Sequence, residues 1–159
     1  MDSVLLDRET RATVDDHRAL RLWLRLLTCS QLIERHVRSR LRSRFGTTLP
    51  RFDLLSQLER HAQGLKMNEL SRLLMVTGGN VTGIVDQLVK EGLVERLDDA
   101  SDRRAWRVRL TRAGAKAFAE MARQHEQWVV ELMGGLTRKE SDSLMQLLAR
   151  LKQVTLENA

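Results

Sequence analysis

The sequence predicts a mostly α-helical protein with one small β-hairpin, arranged as a winged helix-turn-helix between long terminal helices. Three observations support this fold class. Apolar residues recur at helical spacing through most of the chain, glycines follow the helical segments, and two short strand-like runs lie close together near residue 100. The predicted order of elements is therefore α-α-α-α-β-β-α-α.

The first predicted element is one long helix. Residues 1–14 show no clear periodicity and are expected to form a mobile arm. Asp15 or Asp16 can cap a helix that runs to about Arg44, because an aspartate side chain accepts hydrogen bonds from the first free backbone N–H groups. Gly46 then ends this helix, since glycine readily adopts the left-handed conformation that follows a helix terminus.

Three shorter helices follow. Thr48 and Pro50 open the second, which is predicted to end near Ala62, because proline is tolerated in a first helical turn. The third helix covers about Met67–Leu74. The fourth covers about Gly79–Glu91 and stops at the next glycine.

The chain then forms the hairpin and two further long helices. The predicted strands are Val94–Leu97 and Trp106–Leu110, joined by a short polar tip. Thr111 caps the fifth helix, which runs to about Met133, and the last helix covers Thr137–Leu156. A glutamate three residues after the threonine that opens the last helix is typical of a capping box.

The terminal helices are too apolar to stand alone in water. The last helix places a row of apolar residues on one face, namely Leu144, Leu147, Leu148, Leu151 and Val154. We therefore expect residues 15–46 and 111–159 to form the helical dimerisation region of a homodimer, and residues 47–110 to form the winged helix-turn-helix. The alternative is a helical bundle within a single chain.

The composition narrows the class of protein. The formal net charge is +6 and the isoelectric point is near 10.4, which favours a polyanionic partner such as double-stranded DNA. Most of the cationic residues are arginines, whose planar guanidinium binds phosphate through two hydrogen bonds. No window reaches the roughly 18 apolar residues of a membrane span. No apolar signal follows the charged start, so we expect a cytoplasmic protein without membrane association.

The sequence offers no recognisable enzyme or metal chemistry, and no cofactor is expected. It has no nucleophile–base pair, no glycine motif that would cradle phosphates and no Cys/His spacing motif. The single cysteine, Cys29, excludes an internal disulfide. It lies in an apolar stretch, where we expect an unreactive core thiol.

The fourth predicted helix carries a polar face of the kind that reads DNA bases. Thr77 is the expected N-cap, and the N–H groups after it would form an anion site for a phosphate. Asn80 and Gln87 can each read adenine, and Lys90 can meet the backbone. Asp86 either accepts a hydrogen bond from cytosine or orients a neighbouring cation. The full set of candidate DNA-contacting residues in this segment is Thr77, Gly78, Gly79, Asn80, Thr82, Gly83, Asp86, Gln87 and Lys90.

The opposite face of this helix is apolar, with a predicted buried stripe of Val81, Ile84, Val85, Leu88 and Val89. Glycines on the exposed face would let the helix backbone lie deep against a groove. The alternative is that the residues 77–80 form a plain turn before a packed helix.

The hairpin tip adds three charged candidates. Asp102 and Arg104 lie two residues apart across a tight turn, and we expect the carboxylate to hold the Arg104 side chain extended. Arg103 would then be the tip residue that is available to a minor groove. Arg107 and Arg109 are expected to point outward from their strand. The alternative is an ordinary surface hairpin with solvated charges.

Together these segments resemble the MarR family of dimeric winged-helix transcription regulators. The resemblance rests on the long first helix, on LSRLLMVTGGNVTGIVDQLVKEGLVER at residues 70–96, and on D-x-R-x-x-x-V-x-L-T-x-x-G at residues 102–114. It implies a homodimer on a near-palindromic operator, usually repressing, that a small ligand or oxidation releases. Residues 20–34, 47–55 and 76–83 look like the branch that controls catabolism of hydroxycinnamate or related aromatic acids, whose members respond to aryl-CoA thioesters.

Of three sensing modes, an organic ligand is favoured. Peroxide-sensing relatives hold their cysteine with tyrosine hydroxyls, and this chain has no tyrosine. Metal sensing lacks clustered ligands. Arginine rows on the first helix could seat the phosphates of a CoA ester beside a pocket for an aromatic ring, although they could equally be solvated or flank DNA. The candidate ligand residues are Trp23, Leu27, Arg35, Arg38, Arg42, Phe52, His125 and Trp128.

The sequence therefore predicts a ligand-responsive repressor, released by an aromatic acid or its CoA thioester such as a hydroxycinnamoyl-CoA. The rival hypothesis is an architectural DNA-binding protein that tolerates any sequence and has no effector. An enzyme is the least favoured class.

Overall fold

The computed structural model describes residues 18–74 and 80–158, and its elements follow the predicted order with one addition. The elements are α1 (Arg18–Phe45), α2 (Leu49–Glu59), β1 (Leu65–Lys66), α3 (Met67–Leu73), α4 (Val81–Lys90), β2 (Val94–Asp98), β3 (Trp106–Leu110), α5 (Arg112–Met133) and α6 (Arg138–Glu157). The predicted fold class, a mostly helical protein with a β-hairpin wing, is confirmed.

The addition is the two-residue strand β1, which joins the hairpin into a three-stranded antiparallel sheet of order β1-β3-β2. Leu65 of β1 pairs with Val108 of β3. The preceding Gly64 has a φ of +81°, and a Cβ there would lie 2.7 Å from the Val108 carbonyl oxygen. Glycine is therefore required where the chain approaches β3 this closely.

The end of α1 agrees with the prediction, whereas the end of α2 does not. α1 stops at Phe45, and Gly46 follows with a φ of +60°. The predicted mobile arm and the predicted cap at Asp15 or Asp16 lie outside the described residues. α2 stops at Glu59 instead of near Ala62. The chain already turns toward β1 there, because the His61 N–H donates to the Leu58 carbonyl at 3.1 Å and the Gly64 N–H donates to the His61 carbonyl at 2.8 Å.

The chain folds into two compact units that divide after Arg123. The core of the first unit is drawn from both its helices and its sheet. Its most deeply buried side chains are Leu41, Leu54, Leu55, Leu58, Leu70, Val85, Leu88, Val94 and Val108. The helix-turn-helix and the wing therefore share one apolar core, which fixes the position of α4 beside the hairpin.

The start of α5 is tied to the loop before β2. Thr111 Oγ1 accepts a hydrogen bond from the Gly114 N–H at 3.0 Å and donates one to the Gly92 carbonyl at 2.6 Å. The predicted capping role of Thr111 is confirmed. Gly114 packs so closely that a Cβ there would overlap the Leu93 carbonyl oxygen and lie 2.8 Å from its carbon.

In the second unit, α6 buries none of its residues. Its predicted capping box is present, because the Thr137 N–H donates to Glu140 Oε2 at 2.8 Å and Thr137 Oγ1 accepts from the Glu140 N–H at 3.3 Å. The Thr137 hydroxyl also donates to Glu140 Oε2 at 2.8 Å, and the two bonds that this carboxylate accepts, from the Thr137 N–H first and from the hydroxyl second, lower the pKa of Glu140. The predicted apolar row lies in the open, with Leu147 59% and Val154 53% exposed.

The N-terminal half of α1 also presents uncovered apolar side chains. Leu22 is 63% exposed and Trp23 is 54% exposed. Cys29 is exposed on the same helix, so the expectation of a core thiol is wrong for a single protomer. Helical periodicity identifies an apolar face, but it does not show which part of that face the rest of the chain covers.

Candidate nucleic-acid interface

The two faces of α4 follow the prediction in part, since Ile84 and Val89 of the predicted buried stripe are only half-buried. Val81, Val85 and Leu88 are buried, whereas Thr82 and Gln87 are exposed. The exposed Asn80 and Lys90 extend the polar face at its two ends. This helix therefore rests on the core through one side and offers the other to a partner.

The start of α4 differs from the prediction. The helix begins at Val81 with Asn80 as its N-cap, because the Asn80 backbone (φ −139°, ψ 16°) is not helical. Thr77 is therefore not the N-cap of the described helix. Thr77 itself lies outside the described residues together with Gly78 and Gly79, and so does the anion site predicted there.

The structure gives a local reason for glycine at position 83 that the sequence did not suggest. A Cβ at this position would overlap Oδ1 of the Asn80 side chain. Glycine therefore leaves room for the Asn80 amide to lie over the first turn of α4. The predicted role of Gly83 in close approach to a groove stays a prediction.

Asp86 connects α4 to the wing. Its carboxylate pairs with Nη2 of Arg96 on β2, and the Arg96 guanidinium lies over the Trp106 ring of β3, 5.0 Å from its centroid. Of the two roles predicted for Asp86, orienting a neighbouring cation is the one that the structure shows. Gln87 also has a partner, because Arg51 Nη1 of α2 donates to its Oε1 at 3.5 Å.

The wing tip places both of its arginines in solvent, but not as predicted. Asp102 Oδ1 accepts a hydrogen bond from the backbone N–H of Arg104 at 3.0 Å, and no ion pair joins the two side chains. The expectation that Asp102 holds the Arg104 guanidinium is therefore wrong, because the backbone N–H is the nearer donor in so tight a turn. Arg103 and Arg104 have no ion-pair partner among residues 18–74 and 80–158.

The carboxylate that organises the wing is Asp99, whose side chain is 3% exposed. It accepts hydrogen bonds from the Ser101 hydroxyl, from the Ser101 N–H at 2.8 Å and from the Asp102 N–H at 3.1 Å. Its second oxygen faces Lys66 Nζ at 3.5 Å and Arg107 Nη1 at 3.4 Å. The hydrogen bonds from Ser101 are the largest of the causes that hold the pKa of Asp99 well below its usual range.

The two outward arginines of β3 are both engaged. Arg107 donates from Nη2 to the Gly64 carbonyl at 2.8 Å and from Nε to the Gln63 carbonyl at 3.2 Å. Arg109 Nε donates to Glu95 of β2 at 2.6 Å. Beside them, an open groove of about 470 Å³ separates the wing from the start of α3, and its cations are Lys66 and Arg104.

None of the predicted ligand residues lines either of the two cavities described for the first unit. Phe52 is buried in the core, where its ring centroid lies 5.4 Å from that of Phe118. Trp23 is exposed, and Arg38 is paired with Glu34 one turn before it. Arg35 and Arg42 are exposed, and Leu27 is half-buried. In the second unit, Trp128 is 4% exposed, and burial lowers the pKa of His125.

A different cavity exists in the first unit. It measures about 280 Å³ and is lined by Phe45, Thr47, Arg51, Leu55, Glu91, Leu93, Ala117, Glu120 and Met121. Arg51 pairs with Glu91 at its mouth, and Nε of Arg51 is buried without a hydrogen-bond partner in the described part of the chain. Sequence reasoning missed this cavity because Arg51 and Glu91 are distant along the chain and form no motif.

The described residues show no metal site. They contain no group of three or more His, Cys, Asp or Glu side chains placed to hold a metal ion. No helix in residues 18–74 and 80–158 is long and apolar enough to cross a membrane.

Comparison with known proteins identifies relatives over most of the chain. Residues 45–105 match a family model described as the MarR family. A MarR family transcriptional regulator from Silicibacter pomeroyi is 30% identical, with a TM-score of 0.74 and coverage of 92% of this chain and 100% of that one. A mutant of MarR from E. coli, crystallised with operator DNA, is 29% identical, with a TM-score of 0.72 and coverage of 87% and 99%.

A curated relative is also similar in sequence. The transcriptional activatory protein BadR of Rhodopseudomonas palustris is 30% identical over 106 residues, which is 65% of this chain. The match spans 60% of the length of BadR.

Proposed function

The chain belongs to the MarR family, and on that premise we propose that it is a ligand-responsive transcriptional regulator that binds operator DNA as a homodimer. The observation that carries this proposal is the bridge from Asp86 through Arg96 to Trp106. It joins the polar face of α4 to the hairpin that carries the cationic tip. Major-groove and minor-groove contacts are thereby available from one compact unit.

In this proposal α4 enters the major groove and the wing follows the neighbouring minor groove. Asn80, Thr82 and Gln87 are exposed on α4 and read base edges, while Lys90 meets a phosphate. Arg103 and Arg104 supply the guanidinium groups of the wing. Thr77, Gly78 and Gly79 are assigned to a phosphate. The E. coli relative crystallised with operator DNA supports a DNA partner for this fold.

The homodimer is supported by the uncovered apolar faces of the terminal helices. α6 buries none of its residues, and Leu144, Leu148 and Leu151 are each about 40% exposed. A second copy of the same chain covers them through a symmetric interface.

The effector is assigned to the cavity beside Arg51. Its volume of about 280 Å³ suits a single aromatic ring, and Arg51 offers a guanidinium to a carboxylate or a thioester carbonyl. A CoA moiety would have to extend outside this cavity. The exposed Arg42 lies one helical turn before Phe45 of the cavity wall, where it can meet a phosphate.

Release of DNA follows from a shift between two forms of the dimer. The ligand prefers the form in which the two α4 helices are wrongly spaced for half-sites one turn of DNA apart. Arg51 is placed for this role because it lines the cavity and also contacts α4. It donates a hydrogen bond to Gln87 in the last turn of α4 and pairs with Glu91 just after that helix.

Repression is the proposed output, and activation is the second candidate. The name of BadR describes an activator, and that relative is 30% identical to this chain. In vitro transcription from a promoter that carries the operator separates the two outputs, because added protein lowers the transcript level in one case and raises it in the other.

Specific DNA binding is tested by competition. A duplex enriched from a random pool by successive rounds of binding should be bound at least about 10³-fold more tightly than the unselected pool at the same salt. Sedimentation of the same sample should give twice the 18.3 kDa mass of the chain. A preference below about tenfold would favour the architectural DNA-binding alternative.

The effector is tested by titration of the protein–operator complex. Feruloyl-CoA and p-coumaroyl-CoA should release the DNA at concentrations on the order of micromolar, and CoA alone should not. An Arg51→Met variant should need more ligand than an Arg60→Met control, which loses the same charge outside the cavity. If the free acids release the DNA and the CoA esters do not, the effector is not a thioester. If neither the acids nor the CoA esters release the DNA, the proposed class of aromatic effectors is wrong.

A further inference from the structure

A charge cluster around one buried carboxylate fastens the wing where its strands meet the tip turn. Asp99 lies just after β2, yet its side chain is nearly inaccessible to solvent and accepts from two backbone N–H groups and one hydroxyl. These three bonds shape the turn that leads into the tip. All three use Asp99 Oδ1, so Oδ2 remains available to cations on the neighbouring strands.

Two cations from different strands share that second oxygen. Lys66 of β1 and Arg107 of β3 are direct cross-strand partners, and both lie within 3.5 Å of Asp99 Oδ2. Arg107 also donates to the carbonyls of Gln63 and Gly64. One guanidinium therefore connects the wing turn to the loop between α2 and β1.

From this geometry we infer that Asp99, Lys66 and Arg107 form a clamp that sets the direction of the wing, and that Arg107 is a positioning residue for DNA binding by Arg103 and Arg104. The inference rests on the proposed DNA binding. The clamp lies where the strands of the hairpin meet the tip turn. The Arg107 guanidinium is already engaged by Asp99 and by the Gln63 and Gly64 carbonyls, so Arg107 acts through the wing and not by contact with DNA. Holding the tip in its bound direction lowers the conformational entropy that is lost on binding.

The chain offers a matched control for this clamp. Arg107 and Arg109 lie on the same strand with the same charge, but within the described residues Arg109 pairs only with Glu95 of the hairpin itself. Arg107→Met removes the clamp, whereas Arg109→Met removes one charge and leaves the clamp intact. Arg107→Lys keeps a cation beside Asp99 but cannot reach all three acceptors at once.

The first measurement needs no DNA. Hydrogen exchange of the amides in residues 99–106 of the full-length protein should be at least about tenfold faster in Arg107→Met than in Arg109→Met. Asp99→Asn provides a second variant, because its amide oxygen still accepts from the turn while the charge is lost. Wild-type exchange rates in both Arg107→Met and Asp99→Asn would overturn the clamp.

The second measurement uses the enriched operator duplex. Arg107→Met should lose hydroxyl-radical protection in the minor groove and bind about tenfold more weakly, while protection of major-groove guanines from methylation stays. Arg107→Lys should fall between Arg107→Met and the wild type. Equal loss of both protections would overturn the positioning role. If the wild type itself showed no preference for the operator, the proposed function would fail while the exchange rates still decided the clamp.

Discussion

A Gly114→Ala variant is expected to lose about 3 kcal/mol of its free energy of unfolding. The added methyl group would overlap the Leu93 carbonyl oxygen. Relief by a shift of α5 is blocked, because Thr111 already holds this segment through hydrogen bonds to the carbonyls of Gly92 and Leu93 at 2.6 and 3.1 Å. The atoms that the methyl group would meet belong to the Leu93 backbone, which cannot rotate away as a side chain could.

Urea denaturation at one fixed protein concentration measures this loss, since dimer formation would make the stability depend on concentration. Gly135→Ala is the matched control, because nothing lies within 4 Å of a Cβ built there. Its free energy of unfolding should change by less than about 0.5 kcal/mol. Equal stability of the two variants would contradict this prediction, because it would show that the start of α5 can shift away from Leu93 despite the hydrogen bonds of Thr111.

An Arg104→Ala variant is expected to bind the operator at least about tenfold more weakly at matched salt. The Arg104 guanidinium has no ion-pair partner among the described residues, so it is available to DNA without first breaking a bond. A homodimer loses two such groups. The slope of log affinity against log salt should therefore fall by about two, one for each wing.

The control for this variant is Arg123→Ala, which removes the same charge from an exposed position on α5, where it pairs with Glu120. It should leave the affinity and the salt slope close to the wild type. An Arg104→Ala protein with the affinity and slope of Arg123→Ala would remove this side chain from the interface.

The long elements could be predicted because their signals are local. α1, α5 and α6 carry helical periodicity over many turns, and Gly46, Thr111 and Thr137 act on neighbouring backbone groups. The chain belongs to a family of transcription regulators, which agrees with the expectation that it is not an enzyme. The specific DNA and ligand contacts stay predictions.

The structure differs from the sequence predictions where the deciding partner is remote. β1 has two residues and depends on its pairing with β3. For Arg107 the sequence predicted only an outward direction, because its acceptors lie in the loop before β1, more than 40 residues earlier. Asp102 and Arg104 are near in sequence, but the Arg104 N–H satisfies the carboxylate first. Spacing identifies candidate pairs and does not decide between competing donors.

The placement of Arg96 between Asp86 and the Trp106 ring has a consequence for how such a regulator can change over evolutionary time. Because α4 and the hairpin are joined, the two surfaces that we propose to read DNA are displaced together, and under the proposed function a signal would act on the distance between two copies of this unit. Under the same proposal, sequence preference resides in a few exposed side chains of α4, and the response to the signal resides in the cavity beside Arg51. Under that proposal a substitution at Thr82 would change the operator without touching the response to the signal, whereas Gln87 accepts a hydrogen bond from Arg51 of the effector cavity and belongs to both.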